Sequence, residues 1–186
     1  MDGRDGLFAI LASRDARHRH QQELLAANAG KALLCLTVIM PGAEKRNALS
    51  LTVADASLEA LRAAFPGVDI EERDLPTGFE AYLLVPMSPL EAKRLAVRIE
   101  DSHPLGRLFD LDVVTPQGPL SRRDIGEAPR RCLLCGREAR LCMRSHAHTH
   151  DELMVRIREM VGAWNKMVQF ETKNTKESVT FAPRDL

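Results

Sequence analysis

Two aspartates stand one residue apart between large apolar side chains in "HPLGRLFDLDVV", which runs from His103 to Val114. The stretch has the alternation of a strand, and in a strand alternate side chains share a face. Leu108, Asp110, Asp112 and Val114 then point one way, and Phe109, Leu111 and Val113 form the core-facing set. Along one face the two aspartates lie about 6.5 Å apart at Cα, two strand rises. A carboxylate in apolar surroundings is costly unless it is paired or bound to a cation. Two of them side by side can converge on one hard cation or on two neighbouring ones. Magnesium suits such a site, because it is held by one or two carboxylates together with water and substrate phosphate. A metal pair can also clamp the attacking and leaving oxygens of a phosphoryl displacement. Two ordinary surface aspartates are the plain alternative; the apolar flanks and the nearby Gly106 weigh against it.

A second constellation lies in "CLLCGREARLCMRSHAHTH". Cys132 and Cys135 are separated by two residues, Cys142 follows, and then come His146, His148 and His150. Two thiolates around a tight turn, with Gly136 for the chain reversal, form a zinc knuckle, and a third thiolate and an imidazole complete a tetrahedral set. Such a centre is structural, since four protein ligands leave no open position. Buried free thiols near a helix start are the alternative. Cys35 sits in an apolar run and reads as core.

Between Ser121 and Arg144 lie Arg122, Arg123, Arg130, Arg131, Arg137, Arg140 and Arg144 against Asp124, Glu127 and Glu138. This local basic patch suits phosphates or an acidic protein, although solvated surface arginine explains it as simply. Over the 186 residues the formal net charge is zero, so global charge does not point to nucleic acid. One Trp and one Tyr disfavour a single-strand RNA binder, which stacks bases on aromatic rings. No apolar run approaches the roughly 20 residues of a membrane span. The opening "MDGRDGLFAI" lacks the basic-then-apolar order of a secretory signal, so a cytoplasmic location is expected. There the four cysteines are reduced thiols or metal ligands.

These residues need elements to position them. A helix is expected from about Leu7 or Ser13 to Asn28, stopped by Gly30, with Leu24 and Leu25 on one face and Arg14, Arg17 and Gln21 on another. "KALLCLTVIMPG" reads as a buried strand closed by Pro41 and Gly42. "LTVADASLEALRAAF" reads as an amphipathic helix capped by Asp55 or Ser57. "VDIEERD" and "FEAYLLV" read as strands around the "PTG" turn. In "SPLEAKRLAVRIEDSH" Ser88 caps a helix, with Pro89 first and Glu91 third. "THDELMVRIREMVGAWNKM" is a last helix, and the polar "QFETKNTKESVTFAPRDL" is expected to be a frayed tail. The expected class is α+β: a mixed sheet with flanking helices and a small Cys-rich segment near the C-terminus.

"SRDARHRHQ", "LTVIMPGAEK", "SHPLGRLFDLDVVTPQGPLSRRD" and "PRRCLLCGREARLC" closely resemble, in order, the apo-citrate lyase phosphoribosyl-dephospho-CoA transferase family, also called holo-citrate lyase acyl carrier protein synthase. The resemblance runs from about Ser13 to Met160, and its block from Ser102 to Cys142 is long and specific. It implies a nucleotidyltransferase-like enzyme: a transferase domain over residues 1–163 that includes the Cys-rich segment 130–150, followed by a polar tail over 164–186. The implied reaction moves the prosthetic group of 2′-(5″-triphosphoribosyl)-3′-dephospho-CoA to a serine of the acyl carrier (gamma) subunit of citrate lyase, with loss of pyrophosphate. On this reading Asp110 and Asp112 hold Mg2+. Arg122, Arg123, Arg107, Arg14 and Arg17 suit phosphate oxygens, which their planar forks bind bidentately. Lys45 is a weaker phosphate candidate. His103 is a candidate for proton transfer, although a structural role is the plainer one. Asp15 and Asp124 are expected to orient arginines, with Asp124 a candidate third carboxylate. Gly42 and Gly78 are turn glycines or phosphate-contacting turns. The family pattern favours His148 over His146 as fourth ligand beside Cys132, Cys135 and Cys142. An acidic carrier would complement the arginine-rich segment. Two rival readings remain: the same transfer to the carrier of malonate decarboxylase or citramalate lyase, and a zinc-stabilised interaction module without chemistry, in which the aspartates pair with arginines such as Arg122.

Overall fold

The computed structural model describes residues 3–179. The apolar run after Gly30 forms β1 (Ala32–Val38), the middle of a five-stranded sheet. The chain leaves β1 through a Pro41–Gly42 loop into α2 (Ala48–Ala64), then makes the hairpin β2 (Ile70–Leu75) and β3 (Gly78–Val85) around the expected turn. Next come α3 (Pro89–Ser102), β4 (Phe109–Thr115) and a two-residue edge strand β5 (Gly118–Pro119). The order across the sheet is β2-β3-β1-β4-β5. It follows that β1–α2–β2 and β3–α3–β4 are two interlocked units, the split βαββαβ arrangement of ferredoxin-like folds.

Every neighbouring pair in this sheet is antiparallel, which corrects the expected mixed sheet. Each crossover helix returns the chain in its original direction but one position too far away. The slot left between is filled by a strand of the other unit, running the opposite way.

The α2, α3 and α5 (His150–Val179) helices pack on one face against Leu34, Leu36, Leu83, Phe109 and Leu111. On the other face α1 (Gly3–Ala27) lays Leu24 and Leu25 over Leu33, Tyr82, Leu84 and Val114. The rest of that second face is polar. The first helix begins well before the expected Leu7 or Ser13. The second also begins about a turn earlier than expected, because Asn47 and Ser50 cap each other reciprocally at Ala48 (3.0 and 2.9 Å). Asp55 and Ser57 are therefore mid-helix. At α3 the Ser88–Glu91 capping box and Pro89 stand as expected. The stretch expected as a frayed tail continues α5 to Val179, and its end, residues 180–186, lies outside the described residues.

Candidate active site

The antiparallel register sets Glu80, Thr37 and Asp110 in one cross-strand row, and Tyr82, Cys35 and Asp112 in the next. All six side chains project from the α1-facing side of the sheet, since Phe109, Leu111 and Val113 fill the opposite core. The alternation in "FDLDVV" thus does what its pattern indicates: both carboxylates share one face. Burial and the neighbouring Asp110 raise the Asp112 carboxyl above the ordinary carboxylate range, while Lys93 works against that rise. These are two anions held close with incomplete compensation, which suits a cation.

The outer edge of β4 explains how the pair is fixed. Only Val114 and Thr115 pair with β5, so the backbone at Leu111 has no strand partner on that side. Two buried charged residues of α3 take the strand's place. Lys93 donates to Leu111 O (3.1 Å), and Glu100 accepts from Leu111 N (2.9 Å). An open sheet edge is covered in this way. Lys93 Nζ also lies 3.9 Å from Asp112. Glu100, 3% exposed, is the hub of an arginine cluster. Arg122 reaches Glu100 (2.7 Å) and, with two further bonds, Asp101 (2.8 and 3.0 Å). Arg130 pairs with Glu100, donates to Phe109 O (3.0 Å) and stands 3.6 Å from Asp110.

From the other side α1 crosses the polar face. Arg17 Nε donates to Glu80 (2.8 Å), and the Tyr82 hydroxyl donates to the same carboxylate (2.6 Å). His20 sits edge-on to Tyr82, with ring centroids 4.7 Å apart, and bonds Glu71 (3.0 Å). Burial and Glu80 push the Tyr82 hydroxyl far above its usual range, and burial pushes the Cys35 thiol up to about 12, so neither is an acid-base group at neutral pH. Lys45 donates to Met40 O (2.5 Å), and burial beside Arg14 lowers its pKa. Farther along this face a cleft of about 420 Å³ opens, lined by Leu24, Lys31, Val68, Tyr82, Leu84 and Pro86 among others.

The expected site residues therefore separate. Asp110, Asp112, Arg122 and Arg107 gather at the β4 edge, and Arg17, Arg14 and Lys45 stand on the α1 side. Arg123 is exposed and makes no ion pair among the described residues. His103 lies on the far side of the sheet, stacked between Phe109 (4.8 Å) and Trp164 (4.7 Å), with Nδ1 accepting from Leu105 N. Burial lowers its pKa, as for a neutral packing residue. Asp124 caps its own turn, accepting from Ser121 N and Oγ (2.7 and 2.8 Å), rather than orienting an arginine. Gly42, at φ +80°, lies under His150: a Cβ there would be 2.6 Å from the imidazole Nε2.

Sequence reasoning does not single out Glu80, Lys93 or Glu100, and it names Arg130 only as one member of the basic patch. The signal for Glu80 is present, a lone acid inside the apolar "FEAYLLV", the same clue that marks Asp110. For Lys93 and Glu100 there is none, because their partners lie on other elements.

The Cys-rich segment is a small hairpin. Arg131 bridges Glu138, Cys132 N bonds Arg137 O (2.7 Å), and Ala139 N bonds Arg130 O (2.8 Å). The Cys132 sulfur accepts from Leu134 N (3.5 Å) inside the knuckle. The short α4 (Ala139–Arg144) brings in Cys142, and His148 follows before α5. The ligand atoms of Cys132, Cys135, Cys142 and His148 all lie within 4.8 Å of one another, a set that could hold a metal ion. His148 Nε2 is buried without a hydrogen-bond partner, which a metal would supply. Hydrogen bonding from Arg137 holds the Cys135 thiol down to about 6, whereas burial pushes Cys142 up to about 11. No helix among the described residues is long and apolar enough to cross a membrane.

The family model for apo-citrate lyase phosphoribosyl-dephospho-CoA transferase matches residues 6–164. Similar curated proteins include "Protein CitXG" of Haemophilus influenzae, 40% identical over 160 residues. That alignment takes in 83% of this chain but 34% of the Haemophilus protein, so the chain spans about a third of that relative's length. A "Probable apo-citrate lyase phosphoribosyl-dephospho-CoA transferase" of Vibrio cholerae serotype O1 is 38% identical over 83% of this chain and 90% of its own. An Escherichia coli O6:H1 protein named "Apo-citrate lyase phosphoribosyl-dephospho-CoA transferase" is 36% identical over 82% of this chain and 86% of its own.

Proposed function

The chain belongs to the apo-citrate lyase phosphoribosyl-dephospho-CoA transferase family, and on that premise we propose that it attaches the phosphoribosyl-dephospho-CoA group to the acyl carrier (gamma) subunit of citrate lyase. A carrier serine oxygen attacks the α-phosphorus of the triphosphoribosyl precursor. The bond from that phosphorus to the bridging oxygen breaks, pyrophosphate leaves, and the serine proton passes to solvent or a base. A phosphodiester to the carrier results.

The observation that carries this reading is the Asp110–Asp112 pair on one sheet face, with guanidinium groups at the adjoining edge. Two carboxylates with no other ligand type fit magnesium. Bound there, it would supply charge neutralisation at the attacked phosphate. The chain's own part is positional. Lys93 and Glu100 hold the β4 backbone, so that Asp110 and Asp112 keep one orientation. Arg122 and Arg107, with Arg123 at the rim, offer planar donors to phosphate oxygens. Arg17, Arg14 and Lys45 add positive charge from the α1 side, and the half-apolar cleft beside Tyr82 suits the long organic arm of the precursor. His103 serves packing.

The Cys132–Cys135–Cys142–His148 set fits zinc by ligand chemistry and closure, as a structural centre. One buried thiol, Cys35, and three thiolates for a metal, with none of the four in a disulfide, suit a reducing compartment, the cytoplasm. The test is intact-mass analysis of apo-carrier incubated with precursor and Mg2+. A mass gain on the citrate lyase carrier supports the proposal. A gain only on the malonate decarboxylase or citramalate lyase carrier moves the protein to that acceptor, and no gain on any of them overturns it.

A further inference from the structure

The carboxylates at the β4 edge are engaged by two of its three arginines, Arg122 and Arg130, the latter also 3.6 Å from Asp110. Glu100 is shared between Arg122 and Arg130, and Asp101 is taken by Arg122. Arg107, half-buried, lies within electrostatic reach of both guanidiniums and of Asp101 and Glu100, and its side chain makes no hydrogen bond or ion pair among the described residues. Its place is set by backbone rather than by attraction. Gly106 presses on the end of α3 so closely that a Cβ there would lie 2.3 Å from Glu100 O. That contact holds the Gly106–Leu108 turn against α3 and places the backbone of the next residue, Arg107, beside the Glu100 carbonyl. Arg130 enters from the opposite direction. It sits two residues before Cys132, its carbonyl locked by Ala139 N across the Cys-rich hairpin.

Three arginines gather at one edge, one of them outside any ion pair among the described residues, and Asp110 lies 3.6 Å from Arg130. A half-buried cation held beside two like charges is unfavourable unless an anion completes the group. The planar forks select an oxyanion that accepts bidentately, and their number selects one with several charges.

We propose that Arg107, Arg122 and Arg130 form a diphosphate-binding site beside Asp110, with Arg107 the fork reserved for the ligand. Burial, and after it the nearby Arg130 and Arg122, lower the Arg107 pKa, against the smaller opposing pull of Asp101 and Glu100. The site assigns a role to Arg130 and leaves Arg123 outside. It deepens the transferase reading, which supplies two sources of the group: the departing pyrophosphate, or the internal diphosphate bridge of a dephospho-CoA.

The experiment is isothermal titration of the full chain, at low and at moderate ionic strength, with inorganic pyrophosphate and separately with dephospho-CoA. The variants are Arg107→Gln, Arg107→Lys and, as a charge control on the outer face of α5, Arg158→Gln. The expected result is that Arg107→Gln weakens one of the two probes at least tenfold, about 1.4 kcal/mol. Its melting temperature without ligand should equal or exceed that of the wild type, because a repelled charge has been removed. Arg107→Lys should recover part of the affinity, and Arg158→Gln should bind as wild type. Loss with pyrophosphate marks the leaving-group source, and loss with dephospho-CoA marks the nucleotide bridge. Unchanged affinity for both probes in a folded Arg107→Gln protein, or equal loss in Arg158→Gln, overturns the site. None of these readings needs the carrier, so failure of the transfer assay and failure of this site are separate results.

Discussion

Replacing Asp112 by Asn should stabilise the fold while removing magnesium binding. Like charges about 6.5 Å apart repel by about 0.6 kcal/mol in water's dielectric and about 2.6 kcal/mol at an effective dielectric of 20. The Asp112 side chain is 51% exposed and has Lys93 3.9 Å away, so the lower part of that range applies, about 1 kcal/mol. For a protein of this size that raises the melting temperature by about 2–4 °C. The pH dependence follows from the raised carboxyl. In the folded state the ionised form is disfavoured, so its cost is fully present above the folded pKa. It disappears as pH falls below the ordinary value of 3.8. The advantage of Asn should therefore be largest near pH 7.5 and shrink toward pH 4. Thermal melts across that range, with and without millimolar Mg2+, provide the assay. Wild type should gain stability from Mg2+ and Asp112→Asn should not. A fall of several degrees in Asp112→Asn at pH 7.5 would refute the reasoning, since it would make the Lys93 pairing the purpose of Asp112 and favour a non-catalytic module.

Glu100→Ala leaves Arg122, Arg130 and Leu111 N without their shared acceptor, and it should cost about 3–5 kcal/mol in chemical denaturation. Gly106→Ala forces a Cβ to within 2.3 Å of the Glu100 carbonyl, so it should lower the melting temperature and weaken pyrophosphate binding together. The purified chain should carry one zinc by elemental analysis, and Cys142→Ser or a strong chelator should remove it and lower the melting temperature. Loss of zinc should also release Arg130, which the hairpin carries to Asp110, and so weaken pyrophosphate binding.

What could be read from the sequence was whatever depends on neighbours along the chain. Alternation put Asp110 and Asp112 on one face, the Cys spacing selected Cys132, Cys135 and Cys142, and the Ser88 capping box located α3. Once the family resemblance was added, His148 rather than His146 stood as the fourth ligand, as in the cluster. Hidden were contacts made between elements. Lys93 and Glu100 look like ordinary helical charges until α3 lies along the open edge of β4, where each meets the Leu111 backbone. Arg130 is one of seven arginines in its stretch, and only the fold of the hairpin separates it from Arg123. Strand direction was equally hidden, because interlocking the two βαβ units is a decision of packing, with no local signal. His103, near the two aspartates in sequence, lies across the sheet from them, packed on Phe109 and Trp164 in the structural role that is the plainer of its two readings.

The central claim is most directly tested by magnesium-dependent pyrophosphate release from the triphosphoribosyl-dephospho-CoA precursor with purified apo-carrier, for wild type, Asp110→Asn and Asp112→Asn, each shown folded by thermal melting. Release by the wild type with a matching mass gain on the carrier, lost in both folded variants, is the predicted result. Release retained in either folded variant, or absent from a folded wild type with every carrier tried, would contradict it.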